Sequence, residues 1–98
     1  MKICILVAVS GQTILSTLQR LYDDYKDGIE LFLYNDGALL LHDPAFIELS
    51  KHMKTTVCDV SAGERGINKR EGVIFGSLYN LSGMIAHADR FLSFARAS

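Results

Sequence analysis

Four side chains in this sequence have types and spacing that could do chemistry: Cys58, Ser61, Arg65 and, upstream, Asp36. Cys58 lies in the stretch Thr55 to Gly66, TTVCDVSAGERG, whose pattern predicts a buried strand over 55–60 and a short helix starting at Ser61. A thiol near the carboxyl end of a parallel strand, facing the amino end of the next helix, sits where the helix dipole favours a thiolate. Asp59, the next residue, opposes that with a charge of the same sign. A free cysteine is also among the most buried residue types, so a small core residue is the competing reading. Arg65 is either an anion clamp beside the thiol or an exposed helix residue. Asp36 is either a ligand for a polar group at the sheet edge or a turn former.

The other reactive types are less promising. Cys4 falls in the middle of an apolar run and reads as core. His42 and His52 flank one helical segment. His87 precedes Asp89 near the end of the chain, where a surface role outweighs service as a base for Cys58. The cysteines and histidines have no metal-ligand spacing, so no metal is expected.

The elements that must position these residues follow from periodicity. Residues 2–9 are almost all apolar and rich in β-branched side chains, as a strand covered on both faces requires. After Ser10, a candidate cap, apolar residues at Ile14, Leu15, Leu18, Leu21, Tyr22 and Tyr25 mark one helical face, closed by Asp27-Gly28. A second strand, IELFLY, runs into Asn35-Asp36-Gly37. That turn could open a hairpin, but ALLLHDPAF lacks β-branched residues and favours a helix. Asp43-Pro44 restarts a helix. Residues 67–76 read as a connecting loop, 77–88 as a helix with Gly83 marking close packing, and 91–94 as a last strand before a frayed tail. Strands alternating with helices predict an α/β fold. We expect a single-domain three-layer sandwich over 1–98, with a mostly parallel sheet and helices on both faces. In such sheets reactive groups gather beyond the carboxyl ends of the strands, at a switch in strand order.

Composition excludes several functions. A net charge of -1 gives no electrostatic reason for nucleic acid or an anionic membrane. No apolar run reaches the roughly 20 residues of a membrane span. The opening MKICILVAVSG resembles a signal peptide only superficially and reads better as a strand. Two cysteines in separate strands do not make a secreted disulfide framework, so a reducing cytoplasm is expected. Neither G-x-G-x-x-G nor a P-loop is present. The acidic pair of a phosphoacceptor receiver domain and the C-x-x-C of a dithiol enzyme are missing as well.

Three features together resemble the DsrE/DsrF-like family of small sulfur-relay proteins. They are LFLYNDGA, the spacing of eight residues from Cys58 to the glycine of Arg65-Gly66-Ile67, and the closing LSGMIAHADRFLSF. The resemblance implies that Cys58 occupies the place of a persulfide cysteine, with Ser61 where some relatives carry a second cysteine. It further implies sulfur donor and acceptor proteins as partners, assembly as a homo-oligomer (trimer or hexamer) or hetero-oligomer, and no cofactor. Helix-start N–H groups at Ser61, with Arg65 and Asp36, are the expected binding groups around the sulfur. Two other roles remain for the same fold: a non-catalytic assembly subunit, or a small-anion binder at the Ser10-Gly11 and Ser61 helix starts.

Overall fold

The computed structural model describes residues 1–96. Among these, five strands form one sheet: β1 (Ile3–Val7), β2 (Ile29–Leu33), β3 (Lys54–Cys58), β4 (Ile74–Gly76) and β5 (Arg90–Phe94). Their order is β4-β3-β2-β1-β5, and every pairing is parallel. Helices α1 (Gln12–Tyr25), α2 (Pro44–Ser50), α3 (Asp59–Glu64) and α4 (Leu78–Ala86) make the crossovers, with a 3₁₀ segment at Asn35–His42.

Each strand sends alternate residues to opposite faces. Ile3, Ile5, Val7, Ile29, Leu31, Leu33 and Val57 point to one side, where they pack with Leu18 of α1, Leu40 of the 3₁₀ segment, Phe46 of α2 and Ala62 of α3. Burial of each large side chain there contributes about 1.5–3 kcal/mol. Cys4, Phe32 and Cys58 point to the other side, where they meet Met84 and, at its edge, Leu81 of α4. The chain steps from β1 to β4 in one direction and returns across the whole sheet to β5, so α4 alone crosses the second face. The result is three layers, with α1, α2, α3 and the Asn35–His42 segment on one face and α4 on the other.

Several local expectations are corrected. Gly11, at φ 110°, is the N-cap of α1, and no side chain caps that helix, so Ser10 does not serve. The left-handed residue at the far end of α1 is Lys26 (φ 46°) rather than Gly28. The helix expected after Asp36-Gly37 is present but tighter, as 3₁₀ turns that begin at Asn35. Gly37 is needed there because an added Cβ would run into the carbonyl oxygen of Val7. The stretch 67–76 is not all loop: Ile74–Gly76 adds a short edge strand to β3. Asp43 does cap α2, accepting from the Ala45 N–H at 2.9 Å. Ser77 and Asn80 form a reciprocal capping box at the start of α4.

Candidate functional site

The predicted third strand stops two residues early. Cys58 ends β3 and is itself the N-cap of α3, which begins at Asp59 instead of Ser61. Asp59 therefore occupies the first helical turn, where a carboxylate complements the unpaired N–H groups. Val60, which had suggested a longer strand, is 69% exposed on the outer side of that helix.

The far end of α3 explains the spacing from Cys58 to Gly66. Gly66, at φ 68°, donates its N–H to Gly63 at 3.2 Å, and Ile67 donates to Ala62 at 2.9 Å. These two bonds are a Schellman closure, with Ile67 and Ala62 both buried in the core. The eight-residue interval is thus a six-residue helix plus its two caps.

Two contacts lock α3 to the end of β2. Asn35, left-handed at φ 48°, donates its backbone N–H to Ser61 Oγ at 2.9 Å. Arg65 donates through Nη2 and Nε to Asp36 Oδ1 at 3.0 and 3.3 Å, and through Nη1 to the Ser61 carbonyl at 3.1 Å. Arg65 and Asp36 thus hold each other, and neither lines the cavity at Cys58. With the Asp36 side chain 48% exposed, their ion pair contributes about 1 kcal/mol or less to stability. Its structural effect is to tie α3, which carries Ser61, to the turn at Asn35-Asp36.

Cys58 and Ser61 open on a cavity of about 660 Å³. Its walls come from Tyr34 and Asn35 at the end of β2 and from the Gly76-Ser77 junction that leads into α4. Gly76 is the register partner of Cys58. Val60, Leu78 and Tyr79 are exposed at the mouth, the last two by 54% and 87%. The thiol residue is 5% exposed and Ser61 is 2% exposed. Asp59 and Glu64 are the charged residues of the lining, which among the described residues includes no histidine, lysine or arginine. His87 lines a different cavity, at the amino ends of the strands. His42 is exposed, and His52 lies against the ring of Tyr22 at 5.6 Å between centroids.

The strand-order switch falls between β1 and β5, where Ser10, Thr13 and Ser93 border a separate cavity of about 400 Å³. Cys58 is at the carboxyl edge but not at the switch. Cys4 is 1% exposed in mid-strand; burial, helped by the charge of Glu30, pushes its thiol up from the ordinary value of 9.0. Both cysteines are free. Among the described residues no three His, Cys, Asp or Glu side chains gather where they could hold a metal ion. No helix among them is long and apolar enough to cross a membrane.

The sequence profile of the DsrE/DsrF-like family matches residues 1–94. The chain belongs to that family. Among solved structures, the ychN protein from E. coli superposes with a TM-score of 0.72 at 20% identity, covering 96% of this chain and 100% of that one. At that identity the likeness speaks for the DsrE-like fold. No curated protein sequence matches the chain with significance.

Gly76 and Ser77 are site residues that the sequence did not single out, and Asn35 stood out only as part of the Asn35-Asp36-Gly37 turn. Asn is the non-glycine residue that best tolerates a left-handed conformation, so Asn35 was the detectable one. Nothing in the sequence of Gly76 and Ser77 tells that they face a cysteine eighteen residues upstream.

Proposed function

We propose that this DsrE/DsrF-like protein carries sulfane sulfur on Cys58. The observation that supports the reading best is a lone thiol at a strand end that borders a cavity, set among hydroxyl and backbone amide groups. The thiolate attacks the terminal sulfur of a donor persulfide. The donor S–S bond breaks, a new S–S bond forms on Cys58, and the donor leaves as a thiolate. A partner thiolate then attacks the outer sulfur and regenerates Cys58. Each step is an exchange at sulfur, so no external oxidant or reductant enters. The first N–H groups of α3, which no side chain caps, and the Ser61 hydroxyl, which lines the same cavity, are the groups available to the new sulfur.

In this reading the donor and acceptor are proteins that dock at the mouth formed by Val60, Leu78 and Tyr79. Arg65 and Asp36 serve by holding α3 and its Ser61 in place, rather than by touching sulfur. A reducing cytoplasm suits two unpaired thiols. A scaffold subunit of the same fold draws support from the same exposed apolar residues and from a thiol only 5% exposed.

Loading with a low-molecular-weight persulfide followed by intact-mass measurement separates the two. The carrier gains the mass of one sulfur atom, lost on adding a thiol acceptor and absent in Cys58→Ser. An unmodified wild-type protein, or equal gain in Cys58→Ser, sinks the carrier reading.

A further inference from the structure

A second cavity, of about 240 Å³, lies under α4 at the amino ends of the strands, opposite the Cys58 edge. Four observations converge on it. Glu30, on central strand β2 with its side chain 14% exposed, stands between the ammonium groups of Lys2 at 3.3 Å and Lys54 at 3.8 Å. Each ammonium carries three N–H donors and faces a single Glu30 oxygen, so donors remain on both lysines. The position of Lys2 is fixed by its backbone, which donates to Asp89 Oδ2 at 2.8 Å and accepts from the Asp89 N–H.

Thr56 is the second observation. It is 2% exposed and faces the cavity from β3, and its hydroxyl has no hydrogen-bond partner among the described residues. Every fully enclosed side-chain polar atom among them does have one. The Thr56 hydroxyl is therefore not fully enclosed: it opens on the accessible space of the cavity. Its methyl group is turned the other way, toward Gly76. The hydroxyl's partner must come from the cavity, as water or as an atom of a ligand.

Third, Asn80 Oδ1 accepts from the Ser77 N–H at 2.8 Å, which leaves the Asn80 amide donors for the cavity it lines. Fourth, Gly83 sits inside α4, where glycine costs about 1 kcal/mol relative to alanine. The sequence suggested close packing there, yet a Cβ at Gly83 would meet nothing within 4 Å. What the missing side chain does is keep the roof of the cavity open.

We propose that this cavity binds a small oxyanion, with oxygens received by the Lys2 and Lys54 ammonium groups, the Thr56 hydroxyl and the Asn80 amide. The polar groups left over are donors, and the cavity lining sets two cations against one carboxylate, with Asp89 turned to the Lys2 backbone outside it. His87 closes the rim. The volume accommodates an anion of a few heavy atoms, since one water occupies about 30 Å³. Glu30 holds the two lysines apart and in place for the ligand. This site is independent of Cys58 and of any sulfur carried there.

The test is an amide NMR titration with sodium sulfate in a constant chloride background, with phosphate and malonate as parallel arms. Saturable shifts centred on Thr56, Asn80 and Gly83 are expected. A response to sulfate and phosphate assigns an inorganic oxyanion, and a response confined to malonate assigns a carboxylate. Thr56→Val, which keeps shape and loses the hydroxyl, weakens binding about tenfold. Gly83→Leu fills the cavity and abolishes binding while the far-ultraviolet circular dichroism stays that of the wild type. Cys58→Ser leaves the affinity unchanged. Shifts that never saturate in any arm, or equal affinity in wild type and Thr56→Val, overturn the proposal. So does loss of binding in Cys58→Ser.

Discussion

The two faces of the sheet are built to different standards. On the face under α1, α2, α3 and the 3₁₀ segment, Ile5, Val7, Leu31, Leu33 and Val57 are wholly inaccessible. On the face crossed by α4, Ile74 and Phe91 remain 45% and 42% exposed at its two edges. Both cysteines, Glu30 and Thr56 lie on this second face. A nine-residue helix cannot cover five strands, and the gaps it leaves at either end are the Cys58 cavity and the Lys2–Glu30–Lys54 cavity. The closed face supplies stability, and the open face leaves room for polar and reactive groups. Substitutions should therefore cost far more on the first face than on the second.

Gly37→Ala is the most damaging change expected. The new methyl group would press into the Val7 carbonyl, where backbone on both sides leaves nothing flexible to yield. A loss of about 4 kcal/mol or more is expected, a large part of the 5–15 kcal/mol that holds such a domain together. Urea denaturation should show little or no folded baseline. A midpoint close to that of the wild type would mean that the two layers are not rigidly apposed there.

Next in size are two truncations that compare the faces directly. Leu31→Ala, on the closed side at 0% exposed, should cost about 2–5 kcal/mol. Met84→Ala, the main contact from α4 at 9% exposed, should cost about 1–2 kcal/mol, because water can enter the space it leaves. Denaturation midpoints with unchanged m-values measure both. Equal losses would remove the distinction between the faces.

These contrasts were only partly legible in the sequence. Strands β1, β2 and β3 announce themselves as apolar runs, and the periodicity of Ile14, Leu15 and Leu18 marks α1. The place of Cys58 at a strand end was readable too. So was the helix after it, but not its start at Asp59, because Asp59-Val60 continues the strand pattern while the turn is decided by N-capping geometry. Strand β4 escaped notice because three residues between glycines show no period. The pairing of Arg65 with Asp36 joins residues twenty-nine apart, which no local pattern reveals. The lysine-flanked cavity draws on three strands, the residue before β1 and a helix; its one sequence trace was Gly83, read as close packing when it marks a gap.

Gly83→Ala is expected to stabilise the protein, by about 0.5–1 kcal/mol. Alanine regains helix propensity and meets no neighbour within 4 Å. The same replacement of hydrogen by methyl at Gly37 unfolds the chain, so the pair of glycine substitutions contrasts the faces with the chemistry of the change held constant. A destabilised Gly83→Ala protein would show that α4 lies closer to the sheet than its open neighbourhood implies.

The smallest effect concerns Cys4, the most enclosed reactive group on the open face. Its thiol is held above 9.0 in the folded protein, by burial first and by Glu30 second. Below that value the thiol is protonated in both folded and unfolded chains, and the stability it contributes is fully present. As pH rises past 9.0, the unfolded chain releases the proton first, and that stability is lost until the folded thiol also ionises. Wild type and Cys4→Ala should therefore keep a constant difference in denaturation midpoint up to about pH 8.5, then converge at higher pH. Taking the difference between the two proteins cancels the tyrosines and lysines that titrate in the same range. Parallel curves throughout would show that water reaches Cys4 freely, and that the open face is looser at its centre than the contact with Met84 indicates.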